Sequence, residues 1–266
     1  MSDIDTRVRF VKNEDGSLEL VGKSMFIGDD VALLDSIAEL VADSQPHLIM
    51  TINVDQVLLV QRQKSLADAF MGASIRTLDG VPLVWLAKAL GVVNVQRNTG
   101  ADLIYQVCER SADTAWRVGI AGGRSGVARL AADNLRARYK GVQVFGIDFP
   151  KIDNASDEIS SDFIETLRKL EIDVLFLCLG CPKQEIWFQH WKSELPGGVY
   201  VGAGAAVDFA AGTAKRAPRV LQDFGLEWFW RLCHDPRRLA RRYLVRGPQF
   251  FGVILKSVAM LIRREQ

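Results

Sequence analysis

The sequence is short of the features that mark several protein classes. Four cysteines among 266 residues are too few to frame a disulfide-stapled miniprotein. Cys178-Leu179-Gly180-Cys181 is a lone C-x-x-C, with Cys108 and Cys233 isolated, so no second pair completes a metal-ligand set. Cys178 also lies within an apolar run and Pro182 follows Cys181, whereas a redox pair opens a helix. No stretch has the apolar length expected of a transmembrane helix. The polar, acidic start Met1-Ser2-Asp3-Ile4-Asp5 does not resemble a secretory signal, so a reducing, cytoplasmic setting is expected. Repeats and low-complexity tracts are absent. With 48% hydrophobic and 24% charged residues, disorder and collagen are excluded, and the length suits one or two domains around a sizeable core.

Net charge is nearly absent at +1, yet its distribution is uneven. Residues 1–214 hold 21 Lys and Arg against 28 Asp and Glu, while residues 215–266 hold 12 against 4. A basic C-terminal segment on an acidic body points to an anionic partner: phosphate, diphosphate, nucleic acid or an anionic membrane. A solvated Arg-rich helix gives the same count. The boundary falls near 211–218, where Gly212 and Pro218 bracket Lys215 and Arg216.

What is present is βα alternation. Apolar runs at 48–54, 117–121, 142–147 and 174–179 are each followed by helix-period segments at 58–70, 126–139, 160–170 and 183–191. The runs are continuous rather than alternating, as strands buried on both faces require. The expected fold is α/β, a Rossmann-like open, mostly parallel sheet with flanking helices and a C-terminal helical appendage, with ligands outside the carboxyl ends of the strands. In the appendage, Asp235-Pro236 opens a helix and Gly247-Pro248 is expected to stop it. Phe250, Phe251, Ile254, Val258, Leu261 and Ile262 then form one apolar helical face beside Lys256, Arg263 and Arg264, suited to packing on the body or to a membrane interface.

Polar residues gather where such a sheet binds ligands. Gly122 and Gly123 lie in a strand-to-helix turn that either cradles a diphosphate or simply turns the chain, with Asp148 after the next strand. Thr51, Asn53 and Asp55 end the first strong strand, and strand alternation sets them on one side. Asp79-Gly80 precedes an apolar helix, where a carboxylate serves as N-cap or as an exposed base. Gln184 belongs to the polar turn Gly180-Cys181-Pro182-Lys183-Gln184-Glu185. Arg238 and Arg241 share a helical face that Arg231 joins from the preceding segment, and arginine suits phosphate through its two parallel donors.

Taken together, these residues resemble the WecG/TagA/CpsF family of inverting bacterial glycosyltransferases. The motifs are Thr51-x-Asn53-x-Asp55, Asp79-Gly80, Arg97-x-x-Gly100-x-Asp102, Gly180-x-Pro182-Lys183-Gln184-Glu185-x-Trp187, Gly202-x-Gly204-Ala205-x-x-Asp208-Phe209-x-x-Gly212, Lys215-Arg216-Ala217-Pro218, Glu227-Trp228-x-x-Arg231-Leu232 and Pro236-x-Arg238-x-x-Arg241-Arg242-Tyr243. The resemblance implies transfer of a sugar from a UDP-sugar donor to a polyprenyl-diphosphate-linked saccharide at the inner face of the cytoplasmic membrane. It places Asp79 as catalytic base, Thr51, Asn53, Arg97 and Gln184 around the pocket, Asp208 on the nucleotide, and Arg231, Arg238 and Arg241 on the diphosphate. Glucose is the first choice of sugar, ahead of N-acetylmannosamine and N-acetylmannosaminuronate. Residues 1–20 lie outside the resemblance and are taken as an extension, 21–214 as the catalytic body and 215–266 as the appendage. Pro82 departs from the glycine of some members, and the long apolar tail points to the exopolysaccharide branch.

The reading uses no cofactor and no metal: the sole D-x-D, Asp3-Ile4-Asp5, lies in the extension, so arginine is expected to stabilise the departing diphosphate. Asp79 is given an ordinary carboxylate pKa near 4. No nucleic acid partner is expected, and the apolar tail favours self-association into a homo-oligomer. An NAD-dependent oxidoreductase drawing on Gly123, Gly126 and Asp148, and a non-catalytic binder of anionic polymers, are the competing readings.

Overall fold

A computed structural model describes residues 8–264, the side chains of Arg238 and Arg264 excepted. Asp3-Ile4-Asp5 lies outside the described residues.

The described chain opens with three short strands, β1 (Phe10–Lys12), β2 (Leu18–Leu20) and β3 (Lys23–Met25), paired antiparallel in that order. Phe10, Leu18, Leu20 and Met25 point inward and are buried, the alternation of a sheet with one covered face. Residue 20, the expected end of an extension, is the last residue of β2 and pairs with Lys23 of β3 within this meander.

The body follows as α1 (Asp30–Ala42), β4 (Pro46–Ile52), α2 (Val54–Val60), α3 (Lys64–Gly72), β5 (Ile75–Leu78), α4 (Val81–Ala89), α5 (Gly100–Thr114), β6 (Arg117–Gly122), α6 (Val127–Arg138), β7 (Gln143–Ile147), α7 (Ser160–Leu170), β8 (Val174–Cys178), α8 (Lys183–Trp191), β9 (Gly198–Gly202) and α9 (Ala206–Ala210). Its six strands run parallel in the order β5-β4-β9-β8-β6-β7, the Rossmann-like α/β architecture the sequence predicts. Alternate strand residues feed two cores. Leu48, Met50, Ile52, Leu175 and Leu177 pack with Phe70, Trp187 and Phe188 on one face. Ile49, Val118, Ile120, Phe176 and Val201 pack with Leu103, Val107 and Leu135 on the other. The single helix expected over 58–70 is two, because α2 is buried from Asp55 to Val60 whereas residues 61–65 are exposed and the chain must turn.

The appendage comprises α10 (Arg219–Asp223), α11 (Glu227–His234) and α12 (Pro236–Ala240). Gly247-Pro248 does not stop the chain's helical path. A π-helical segment (Arg241–Arg246) and a 3-10 turn (Gly247–Gln249) lead directly into α13 (Phe250–Arg264). Proline lacks an N–H and its ring collides with the carbonyl four residues back in a regular helix; the wider turn, in which the Gly247 N–H bonds the Arg242 carbonyl, absorbs it.

This continuity also corrects the expectation about apolar length. Residues Arg241–Arg263, 23 in all, are long and apolar enough to cross a membrane by length and composition. Arg246, Gln249 and Lys256 interrupt the run and hide it in the linear sequence. The single apolar face expected here is two faces: Phe250, Val253 and Ser257 are buried, and the Phe10 N–H donates to Ser257 Oγ at 2.9 Å, while Phe251 and Leu255 point outward.

Candidate active site

The carboxyl ends of β5, β4, β9, β8 and β6 form the row on which the polar motifs stand. At the β5 corner the Asp79 N–H donates to Ile52 O at 2.7 Å, and the Asn98 N–H donates to Leu78 O at 3.1 Å. The second bond stitches the loop carrying Arg97 along β5. Gly80 takes φ 151°, a backbone region side chains avoid, and no side chain caps α4. Asp79 is therefore not the cap, and its carboxylate accepts no hydrogen bond from any described residue.

Burial is the main reason that the Asp79 pKa is pushed up to about 7, and the Glu227 carboxylate adds to it; Arg97 and Arg231 pull the other way, and Asp102 pushes up again. The ordinary value expected from sequence is thus replaced by one near neutrality. Arg97 Nη1 lies 3.7 Å from Glu227 Oε2. Asp102 is held below the usual carboxylate range: burial opposes this, but the Arg216 fork and Thr99 Oγ1, which donates to Asp102 Oδ2 at 2.7 Å, prevail. Three carboxylates and three guanidiniums thus surround the corner. Beside it opens a cavity of about 250 Å³ lined by Val81, Trp85, Lys88, Arg97, Gln222 and Asp223, among others.

At the end of β4, Thr51, Asn53 and Asp55 do not share one strand face. The strand ends at Ile52, Asn53 caps α2 through Oδ1, and Asp55 belongs to the helix. Thr51 is buried and donates to Gly202 O at 2.8 Å. Asn53 Oδ1 also accepts from Arg242 Nη2 at 3.1 Å, and Asp55 faces Arg242 Nε at 3.3 Å and Arg246 Nη1 at 3.2 Å. This motif therefore anchors the appendage.

Gln184 is almost wholly buried and braces two loops: its Oε1 accepts from the Gly180 N–H at 3.0 Å and the Gly204 N–H at 3.3 Å, and its Nε2 donates to Glu185 Oε1. Glu185, also held by Gln56, is buried, and its pKa is raised chiefly by that burial. Gly122 ends β6 so close to β8 that a Cβ would lie 2.6 Å from Cys178 O; Gly123 packs on Val207 of α9. Asp208, in the same helix, accepts from Thr213 Oγ1 at 3.3 Å. Asp148 pairs with Arg129 at 2.6 Å after β7, beyond the row, so the residue invoked for an NAD ribose already has a cation.

The appendage arginines have different surroundings. Arg231 acts on Asp79, whereas Arg241 lines an open cleft of about 440 Å³ with Arg62, Val245, Arg246 and Gln249. The side chain of Arg238 is outside the described residues. All four cysteines are free thiols, and burial raises Cys178 to about 12 and Cys181 higher still, so neither is a thiolate at neutral pH. Among the described residues no cluster of three or more His, Cys, Asp or Glu is placed to hold a metal ion.

Reading single residues missed Glu227, Asp102, Arg216, Arg242 and Arg246. The first four stand inside quoted motifs, so the signal was the motif's company rather than any one spacing. The chain matches the model of the glycosyl transferase WecG/TagA/CpsF family over residues 25–264.

Proposed function

The chain belongs to the WecG/TagA/CpsF family of glycosyltransferases, and from that premise we propose that it moves a hexosyl group, glucose in the first instance, from a UDP-sugar to a polyprenyl-diphosphate-linked saccharide. The setting is the cytoplasmic face of the membrane, and the product feeds a surface polymer or exopolysaccharide. The observation that carries this reading is Asp79: a carboxylate that accepts no hydrogen bond from any described residue, beside arginines and a cavity, its pKa pushed up to about 7.

In the proposed step the acceptor hydroxyl oxygen attacks the anomeric carbon as its proton passes to Asp79. The bond from that carbon to the diphosphate oxygen breaks on the opposite face, and its electron pair leaves with UDP. Configuration inverts. Arg97 and Arg231, the cations acting on Asp79, would take up the negative charge that builds on the leaving group through charge-assisted guanidinium bonds. The row from β5 to β6 covers four strand spacings of ~4.8 Å, roughly 19 Å, which suits a sugar nucleotide with its base toward Gly122, Gly123 and Asp208 and its sugar at Asp79. Gln184 and Thr51 support this reading as braces that fix the loops.

The test is UDP release and lipid-product mass with a panel of UDP-sugars and polyprenyl-diphosphate acceptors. One donor should yield a product heavier by one sugar, with activity unaffected by EDTA. Loss of activity in EDTA with recovery on adding magnesium would overturn the arginine assignment, and absence of UDP binding would overturn the reading.

A further inference from the structure

Helix α11 presents two charged residues one turn apart, Glu227 and Arg231, and both act on Asp79. The remaining charges facing Asp79 come from the loop before α5 (Arg97), from α5 (Asp102) and from the segment before α10 (Arg216). Glu227 is the member with no assigned task. Its side chain is about four-fifths buried, as is that of Arg97 opposite, and a carboxylate so buried is costly unless a cation offsets its charge, which Arg97 does here.

We propose that Glu227 is a positioning residue for the transfer: reaching from α11, its carboxylate holds the Arg97 guanidinium at 3.7 Å and so fixes that fork at the Asp79 corner. The proposal rests on the transferase reading for its purpose and on geometry for its contact. An incoming diphosphate competes with Glu227 for Arg97. Once that guanidinium turns to the phosphates, the Glu227 charge acts on Asp79 with less compensation, and donor binding strengthens the base.

The experiment is a carboxyl-carbon NMR titration of the full-length protein labelled at aspartate, without substrate, the Asp79 signal being identified by its loss in Asp79→Asn. The wild-type midpoint should lie near 7. Glu227→Gln should lower it, Glu227→Asp should largely restore it, and Arg97→Gln should move it upward, because the first variant removes a like charge and the last an opposite one. The acid limb of the kcat/KM profile, which reports the free enzyme, should shift in the same directions. An unmoved midpoint in a folded Glu227→Gln protein overturns the proposal. A purely structural role would lower activity in the Gln and Asp variants alike without moving either midpoint. Because the titration needs no substrate, a shifted midpoint in a protein that transfers nothing upholds the Glu227 contact and counts against the transferase reading alone.

Discussion

Asp79 carries opposite consequences for activity and stability, and the sign of each follows from its raised pKa. The base works only when ionised, so kcat/KM should climb through about pH 7 and level off above it. Asp79→Asn should lower kcat by roughly 10²- to 10⁴-fold, the usual span for a general base. Stability runs the other way. A carboxyl that binds its proton more tightly folded than unfolded favours the folded state at low pH and opposes it once ionised. The penalty is absent below the unfolded pKa of about 4 and complete above the folded value near 7. The Asn variant should therefore melt higher than wild type at pH 8, with the gap closing toward pH 4, and thermal melts at the two pH values decide it. The position of Asp79 was legible in sequence as a carboxylate before an apolar helix. Its basicity was not, because burial and Glu227 reach it only through the tertiary fold.

At the scale of elements, the join between body and appendage runs through Asp55, Arg242 and Arg246. The groups are largely buried, so deleting the carboxylate leaves two guanidiniums without a counterion. Asp55→Ala should cost on the order of 3 kcal/mol, read from the urea midpoint at constant slope, and a change below 0.5 kcal/mol would show the join to be solvent-screened. Sequence reading found α7 and α8 at their observed bounds, and β4, β6, β7 and β8 close to theirs, because strands covered on both faces must be continuously apolar. It did not name the central strand β9, in which Gly198 and Gly202 leave only three side-chain-bearing residues between them. Nor does sequence reveal that Arg76 is buried, its guanidinium donating to the carbonyls of Phe70, Met71 and Ala73 at the end of α3. A cation inside the core is readable only once the carbonyls it satisfies are in place.

For the whole molecule, the proposed membrane setting turns on α13, whose two faces differ. Phe251, Leu255 and Ile262 are 69%, 70% and 52% exposed and recur at spacings that align them on one side of a helix. The opposite side is fastened to β1 by the Phe10–Ser257 bond and by burial of Phe250 and Val253. Crossing a bilayer would undo that packing and carry Arg246 and Lys256 into hydrocarbon, where each charge costs several kcal/mol. Lying flat keeps the packing, buries the exposed stripe and leaves Arg241, Arg246 and Arg62 along the cleft near anionic headgroups. Full-length protein should therefore float with anionic vesicles, and replacing Phe251, Leu255 and Ile262 together by serine should weaken partitioning at least tenfold, since even partial burial of each side chain contributes about 1 kcal/mol or more. High salt should weaken wild-type binding while UDP affinity stays unchanged in the triple variant. Extraction of the wild-type protein by alkaline carbonate is the deciding control: a flat-lying helix is released, whereas a crossing one stays with the vesicles.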